Sequence, residues 1–218
     1  MPLPHHVAPL GDTALTVTLG DHVSRAMAAR VHAAAESLRG AAITGVVDVV
    51  PAYTTLAVHF DPRVTGAAAV RAGIERVLGD AHAVSARDVS RLVEIPVAYD
   101  GVDLADVARA TGLEARDVAV RHSAPEYFAY LLGFVPGFAY LGDLDPALVL
   151  PRRATPRARV PAGAVAIAGA HSAVYPLVTP GGWHIIGSTD AVMFDPRRDP
   201  PVLVRPGDRV RFVPRSLP

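Results

Sequence analysis

Past residue 150 the chain stops alternating between helical and extended patterns and becomes a run of short β-rich segments. These are cut by Pro-Ala-Gly at 161–163, Thr-Pro-Gly-Gly at 179–182 and Pro-Gly-Asp at 206–208. Glycine supplies the positive φ that tight turns use, and proline ends helices, so punctuation this dense leaves no room for a long helix. Short strands joined by tight turns must pair with one another, which predicts a turn-rich sheet or barrel. The 218 residues, half of them hydrophobic, suffice for one domain of ordinary size or two small ones.

The earlier part has another rhythm. Leu15 to Leu19 alternates apolar and β-branched residues, Gly20-Asp21 breaks the run, and Val23 to Leu38 is an alanine-rich helical stretch ending before Gly40. Val46 to Val50 and Thr54 to Phe60 read as two strands joined by a turn at Pro51, and Ala67 to Leu78 as a second helix stopped by Gly79. Two helices interleaved with three or four strands predict a small α/β sandwich of ferredoxin-like type. Asp80 to Ser90 is polar and weakly patterned, so the domain boundary is placed there, with domains at 1–85 and 86–218. Beyond it, Leu92 to Val97 reads as a strand, Leu104 to Ala110 as a helix closed by Gly112, and a further helix begins near Ala115. The apolar run Tyr127 to Gly142 is shorter than the roughly 20 residues that span a bilayer. Gly133, Pro136 and Gly137 also interrupt it, and it is read as a helix end entering a buried aromatic loop.

Composition removes several chemistries. There is no cysteine, which excludes disulfides, thiolate nucleophiles and cysteine metal sites. Every basic residue is arginine, and lysine, asparagine and glutamine are absent, so the chain supplies neither a Schiff-base lysine nor a P-loop lysine. Residues 1–150 carry 11 arginines against 17 acidic residues, a balance of −6, and residues 151–218 carry 10 against 4, a balance of +6. A basic C-terminal part suits an anionic ligand or an acidic surface, or else complements the other domain; the neutral total argues against general nucleic-acid binding. No signal-peptide pattern follows Met1-Pro2-Leu3-Pro4, and the expectation is a cytoplasmic protein.

Several clusters carry possible chemistry. Arg152, Arg153, Arg157 and Arg159 fall within eight residues that contain no acidic side chain, an arrangement suited to bidentate binding of carboxylate or phosphate, or to a solvated face. Arg157 is the strongest single candidate. Thr179-Pro180-Gly181-Gly182 offers unhindered backbone N–H groups for an anion, or forms a tight barrel turn. His122 is suited to exchange a proton near neutral pH, against the plainer role of a cap or core residue. Trp183, the only tryptophan, reads first as barrel packing. His122, His171 and His184 lack metal-ligand spacing, and no metal is expected.

From His122-Ser123 onward the motifs form an ordered set. Tyr127 is followed by Leu132-Gly133-Phe134-Val135-Pro136-Gly137-Phe138-Ala139-Tyr140-Leu141-Gly142, then Pro151-Arg152-Arg153, Thr155-Pro156-Arg157 and Val160-Pro161-Ala162-Gly163. Val174-Tyr175-Pro176, Thr179-Pro180-Gly181-Gly182-Trp183-His184-Ile185-Ile186-Gly187, Phe194-Asp195-Pro196 and Pro206-Gly207-Asp208 complete it. In this the chain resembles the family that holds the B subunit of bacterial ATP-dependent 5-oxoprolinase, the sporulation-kinase inhibitor Kip and the first subunit of allophanate hydrolase, built on carboxyltransferase subdomains C and D. It departs from the family's usual pattern at Gly169-Ala170-His171, where glycine-proline-glutamine is usual, at Ala139 and at Ser188.

The resemblance implies an α+β chain, a ferredoxin-like N-terminal α/β domain followed by a cyclophilin-like β-barrel. It implies ATP-driven opening of 5-oxo-L-proline to L-glutamate. The work would be shared with two partners, a C subunit resembling a biotin-dependent carboxyltransferase and an A subunit of the lactam-utilisation family, and the ATP bound with or by them. His122 is then the proton-transfer residue, with Tyr127, Phe138, Tyr140, Arg153, Arg157, His171, Thr179, Gly181, Gly182 and Trp183 around substrate or anion. The competing family roles are kinase inhibition, as in Kip, and a urea or allophanate enzyme component.

Overall fold

Period-two burial builds the N-terminal sheet: in β4 (Thr55–Phe60) Leu56, Val58 and Phe60 are buried and the residues between them are half-exposed. In the computed structural model the described residues are 4–80 and 91–218, and the chain divides into two units, Met1–Val89 and Ser90–Pro218. The boundary expected at residue 85 lies outside the described residues.

In the first unit β1 (His6–Pro9), β2 (Ala14–Thr18), β4 and β3 (Val46–Pro51) form an antiparallel sheet in the order β1-β2-β4-β3. Helix α1 (Arg25–Gly40) follows β2 and α2 (Ala67–Gly79) follows β4. This is the ferredoxin-like sheet with its closing strand supplied from the N-terminus by β1. Ser24 caps α1 by accepting the Met27 N–H, and Ala28, Val31, Ala34, Ala35 and Leu38 form its buried stripe. Val31, Ala34, Ala35 and Leu38 of that stripe and Val70, Ile74 and Leu78 of α2 share one core with Leu15, Val17, Leu56, Val58 and Phe60.

The second unit is a closed barrel. Its strands are β5 (Leu92–Ala98), β6 (Tyr127–Leu132), β7 (Ala139–Gly142), β9 (Ala164–Ala168), β10 (His171–Val174), β12 (His184–Ser188) and β13 (Arg209–Ser216). They close in the order β10-β7-β6-β13-β5-β12-β9, with β13 parallel to β5 and the remaining pairs antiparallel. Helices α3 (Leu104–Thr111) and α4 (Ala115–Ser123) pack on β12 and β13. A two-stranded ribbon of β8 (Arg157–Val160) and β11 (Thr179–Gly181) stands outside the barrel order.

One stretch of wall is two-faced, and the alternation is written in the sequence of β9. Val165 and Ile167 join the main barrel core, while Ala164, Ala166 and Ala168 point to a second core with Phe138, Tyr175 and Trp183. Small side chains on that outer face leave space for large rings, and Val160 of the ribbon closes the layer.

The run Tyr127 to Gly142 corrects the sequence reading. It is an antiparallel pair, β6 and β7, and not a helix end, because aromatic and branched residues on both sides of a Gly133–Gly137 turn satisfy two faces of a barrel wall. Gly133 N–H donates to Phe138 O at 3.1 Å across the turn, where Phe134 takes a φ of 71°. Among the described residues no helix is long and apolar enough to cross a membrane.

Candidate functional site: an arginine knot beside an aromatic layer

Asp103 precedes α3 but does not cap it; its carboxylate faces β12 and the ribbon instead. One oxygen accepts from Arg153 Nη1 at 2.7 Å and Arg157 Nη2 at 2.6 Å, the other from Arg157 Nη1 and Ile185 N at 2.8 Å each. The carboxylate is buried, at 1% exposure. Burial is the largest single influence on it and opposes ionisation, but the Arg157 fork, the Ile185 N–H and the charges of both arginines outweigh that and hold its pKa below the ordinary value. Two guanidiniums on one carboxylate leave one positive charge in excess.

This corrects the picture of an unpaired arginine cluster. Arg157 spends its fork on Asp103, a residue 54 positions away that no local pattern ties to it. Arg152 and Arg159 stay exposed on the chain around the knot. An Asp just before a helix reads as a cap, which is why sequence reasoning passes over Asp103.

The ribbon leads from the knot to the aromatic layer. Arg153 N–H donates to Gly182 O at 2.8 Å, and His184 Nε2 donates to Pro151 O at 2.9 Å. Phe138 is the hub, with Tyr140, Tyr175 and Trp183 edge-on at 5.1, 5.3 and 5.4 Å between ring centres. Trp183 is 6% exposed and belongs to this layer, so barrel packing is its role. Tyr140 is half-buried and lies 5.8 Å from Trp183 on one side and 6.3 Å from His171 on the other. Thr179 is buried, with its hydroxyl oxygen unpartnered.

The glycine pair also differs from the expected anion nest. Neither Gly181 nor Gly182 has positive φ. A side chain at Gly181 would place Cβ 2.3 Å from the Tyr175 hydroxyl, whereas at Gly182 the nearest atom is Pro156 Cβ at 3.6 Å. Gly181 is therefore the residue the fold needs, to let the Tyr175 ring approach the ribbon.

His122 and Tyr127 lie elsewhere, in and beside the main barrel core. Tyr99 hydroxyl donates to His122 Nδ1 at 2.7 Å, Nε2–H donates to Ser172 Oγ at 2.8 Å, and Tyr127 hydroxyl donates to His122 O at 2.7 Å. The imidazole packs 4.5 Å from the Phe212 ring, has no exposed surface, and burial pushes its pKa down to about 3. A ring that is neutral, enclosed and bonded at both nitrogens has no site for a ligand proton. The proton-transfer role assigned to His122, and a lining role for Tyr127, give way to core packing.

The structure thus brings Arg153, Arg157, Thr179, Gly181, Gly182, Phe138, Tyr140, His171 and Trp183 around one outer face, and leaves out His122 and Tyr127. Among the described residues no group of three or more metal-ligating side chains forms.

Residues 5–204 match the family model for the carboxyltransferase domain, subdomains C and D. The chain belongs to that family. Two relatives are named as the B subunit of 5-oxoprolinase. One, from Bacillus subtilis, is 37% identical over 98% of this chain and 94% of its own. The other, from Escherichia coli O157:H7, is 42% identical over 95% and 94%. Among solved structures, TTHA0988 superposes with a TM-score of 0.83 at 41% identity, over 94% of this chain and 40% of that longer one.

Proposed function

We propose that this chain is the B subunit of an ATP-driven 5-oxoprolinase that opens 5-oxo-L-proline to L-glutamate together with partner subunits. The observation that carries the reading is the near-full-length likeness to two proteins named as B subunits of 5-oxoprolinase. The outer face agrees with it chemically. 5-Oxo-L-proline is a compact lactam bearing one carboxylate, and the face offers the half-buried Tyr140 ring and a knot with one positive charge in excess.

A lactam carbonyl is a poor electrophile, so its opening at useful rates draws on a nucleotide. This chain has no lysine, and Arg153 and Arg157 are bonded to Asp103, so a triphosphate cradle is assigned to the partners. Those are the carboxyltransferase-like C subunit and the lactam-utilisation A subunit. Likeness to a module within the longer TTHA0988 chain supports a role in an assembly. In the test, the chain is co-expressed with both partners and glutamate release from 5-oxo-L-proline is measured; the reading requires dependence on ATP and on this chain. Release that persists when this chain is omitted sinks it.

A further inference from the structure

With His122 enclosed in the core, the outer face needs another group able to move a proton. His171 is the first residue of β10, and strand alternation puts it on the side of Ala173, which lies in the aromatic layer, away from Ser172 and Val174. Its ring is half-buried and stands edge-on to Tyr140, 6.3 Å between centres, and Tyr140 in turn meets Trp183. Tyr140 on β7 faces it, β9 places Ala168 opposite it, and the charge of Asp143, just beyond β7, acts on it. Asp143 takes a φ of 71°, which an aspartate tolerates better than most residues, and Tyr130 of β6 donates to it at 3.4 Å.

We propose that His171 is the group through which this face passes a proton to and from its ligand. The proposal rests on the lactam reading above. In the net opening, which the partners couple to ATP hydrolysis, water adds its hydroxyl to the carbonyl carbon, the C–N bond breaks, and the nitrogen takes a proton. The imidazole accepts that proton from the water and returns it to the nitrogen, ending in the state in which it began. Burial lowers the pKa of His171 below its ordinary value, and the Asp143 charge offsets that only in part, so the ring is a proton acceptor of reduced basicity.

The decisive variant is His171→Gln, which keeps a donor and an acceptor but does not titrate. In the reconstituted complex, the rate of glutamate release should fall about 10²-fold, and its acid limb should disappear, while assembly is unchanged. Asp143→Asn should shift the acid limb to lower pH. A His171→Gln complex with the parent rate and pH profile overturns the proposal. Should the unaltered complex release no glutamate, the lactam reading alone fails. The proposal is then decided on the isolated full-length chain by NMR titration of the His171 ring with 5-oxo-L-proline, 2-pyrrolidinone or acetate. A titration midpoint displaced by one of these supports it; a His171 signal that none of them moves refutes it.

Discussion

Replacing Asp103 by alanine removes the acceptor of four hydrogen bonds at once, three from guanidiniums and one from the Ile185 backbone. Breaking a buried pair by deleting one partner costs about 3–5 kcal/mol, because the remaining charge is left without compensation. Arg153 and Arg157 keep 28% and 25% of their side-chain surface exposed, so water recovers part of that loss and the expected cost is about 3 kcal/mol. At roughly 3–4 °C per kcal/mol for a unit of this size, the melting point should fall by about 10 °C. Trp183 is the only tryptophan and lies in the barrel unit, so its fluorescence follows this transition alone. The Asp103 pKa is depressed in the fold, so its contribution is present at neutral pH and is lost as pH falls below the unfolded value of about 3.9. Parent and variant should therefore converge in acid. A variant that melts within about 2 °C of the parent at pH 7 refutes the reasoning.

Gly181→Ala should destabilise the barrel by about 1–3 kcal/mol, since its Cβ would meet the Tyr175 hydroxyl, while Gly182→Ala should stay within about 0.5 kcal/mol of the parent. Urea titration read by Trp183 fluorescence separates them. His122 has a folded pKa of about 3 against about 6.5 unfolded, so the unfolded chain binds more protons between those values and stability should decline steadily as pH falls through that window. Melting curves of His122→Gln should show a shallower decline, together with a lower melting point at pH 7 from the disturbed Tyr99 and Ser172 bonds. The isolated chain should fold and show no turnover of 5-oxo-L-proline, as activity measurements before and after adding the partners would show.

Local patterns make the helices and most strands legible, because each depends on spacing within one segment. The stretch Leu104 to Ala110, for example, already shows the apolar face and terminal Gly112 of α3. Tyr127 to Gly142 misleads because an apolar run with buried residues on both faces has no period; only the partner strands decide that it is a hairpin. The site is half legible. The arginines, His171 and the Gly181-Trp183 segment are visible as residue types, but the pairing of Arg153 and Arg157 with Asp103 spans 50 and 54 positions and follows from β12 passing beside the start of α3. His122 misleads for the opposite reason. Its neighbours in sequence suggest chemistry, and only its enclosure by Tyr99, Ser172 and Phe212 shows that its nitrogens hold the core together.

The central claim is that this chain contributes to ATP-driven lactam opening, and product stoichiometry in the reconstituted assembly tests it most directly. L-Glutamate and ADP should appear together when 5-oxo-L-proline and ATP are both supplied, and neither product should accumulate when this chain is left out. Equal glutamate release without ATP, or ATP consumption that 5-oxo-L-proline does not stimulate, would contradict it.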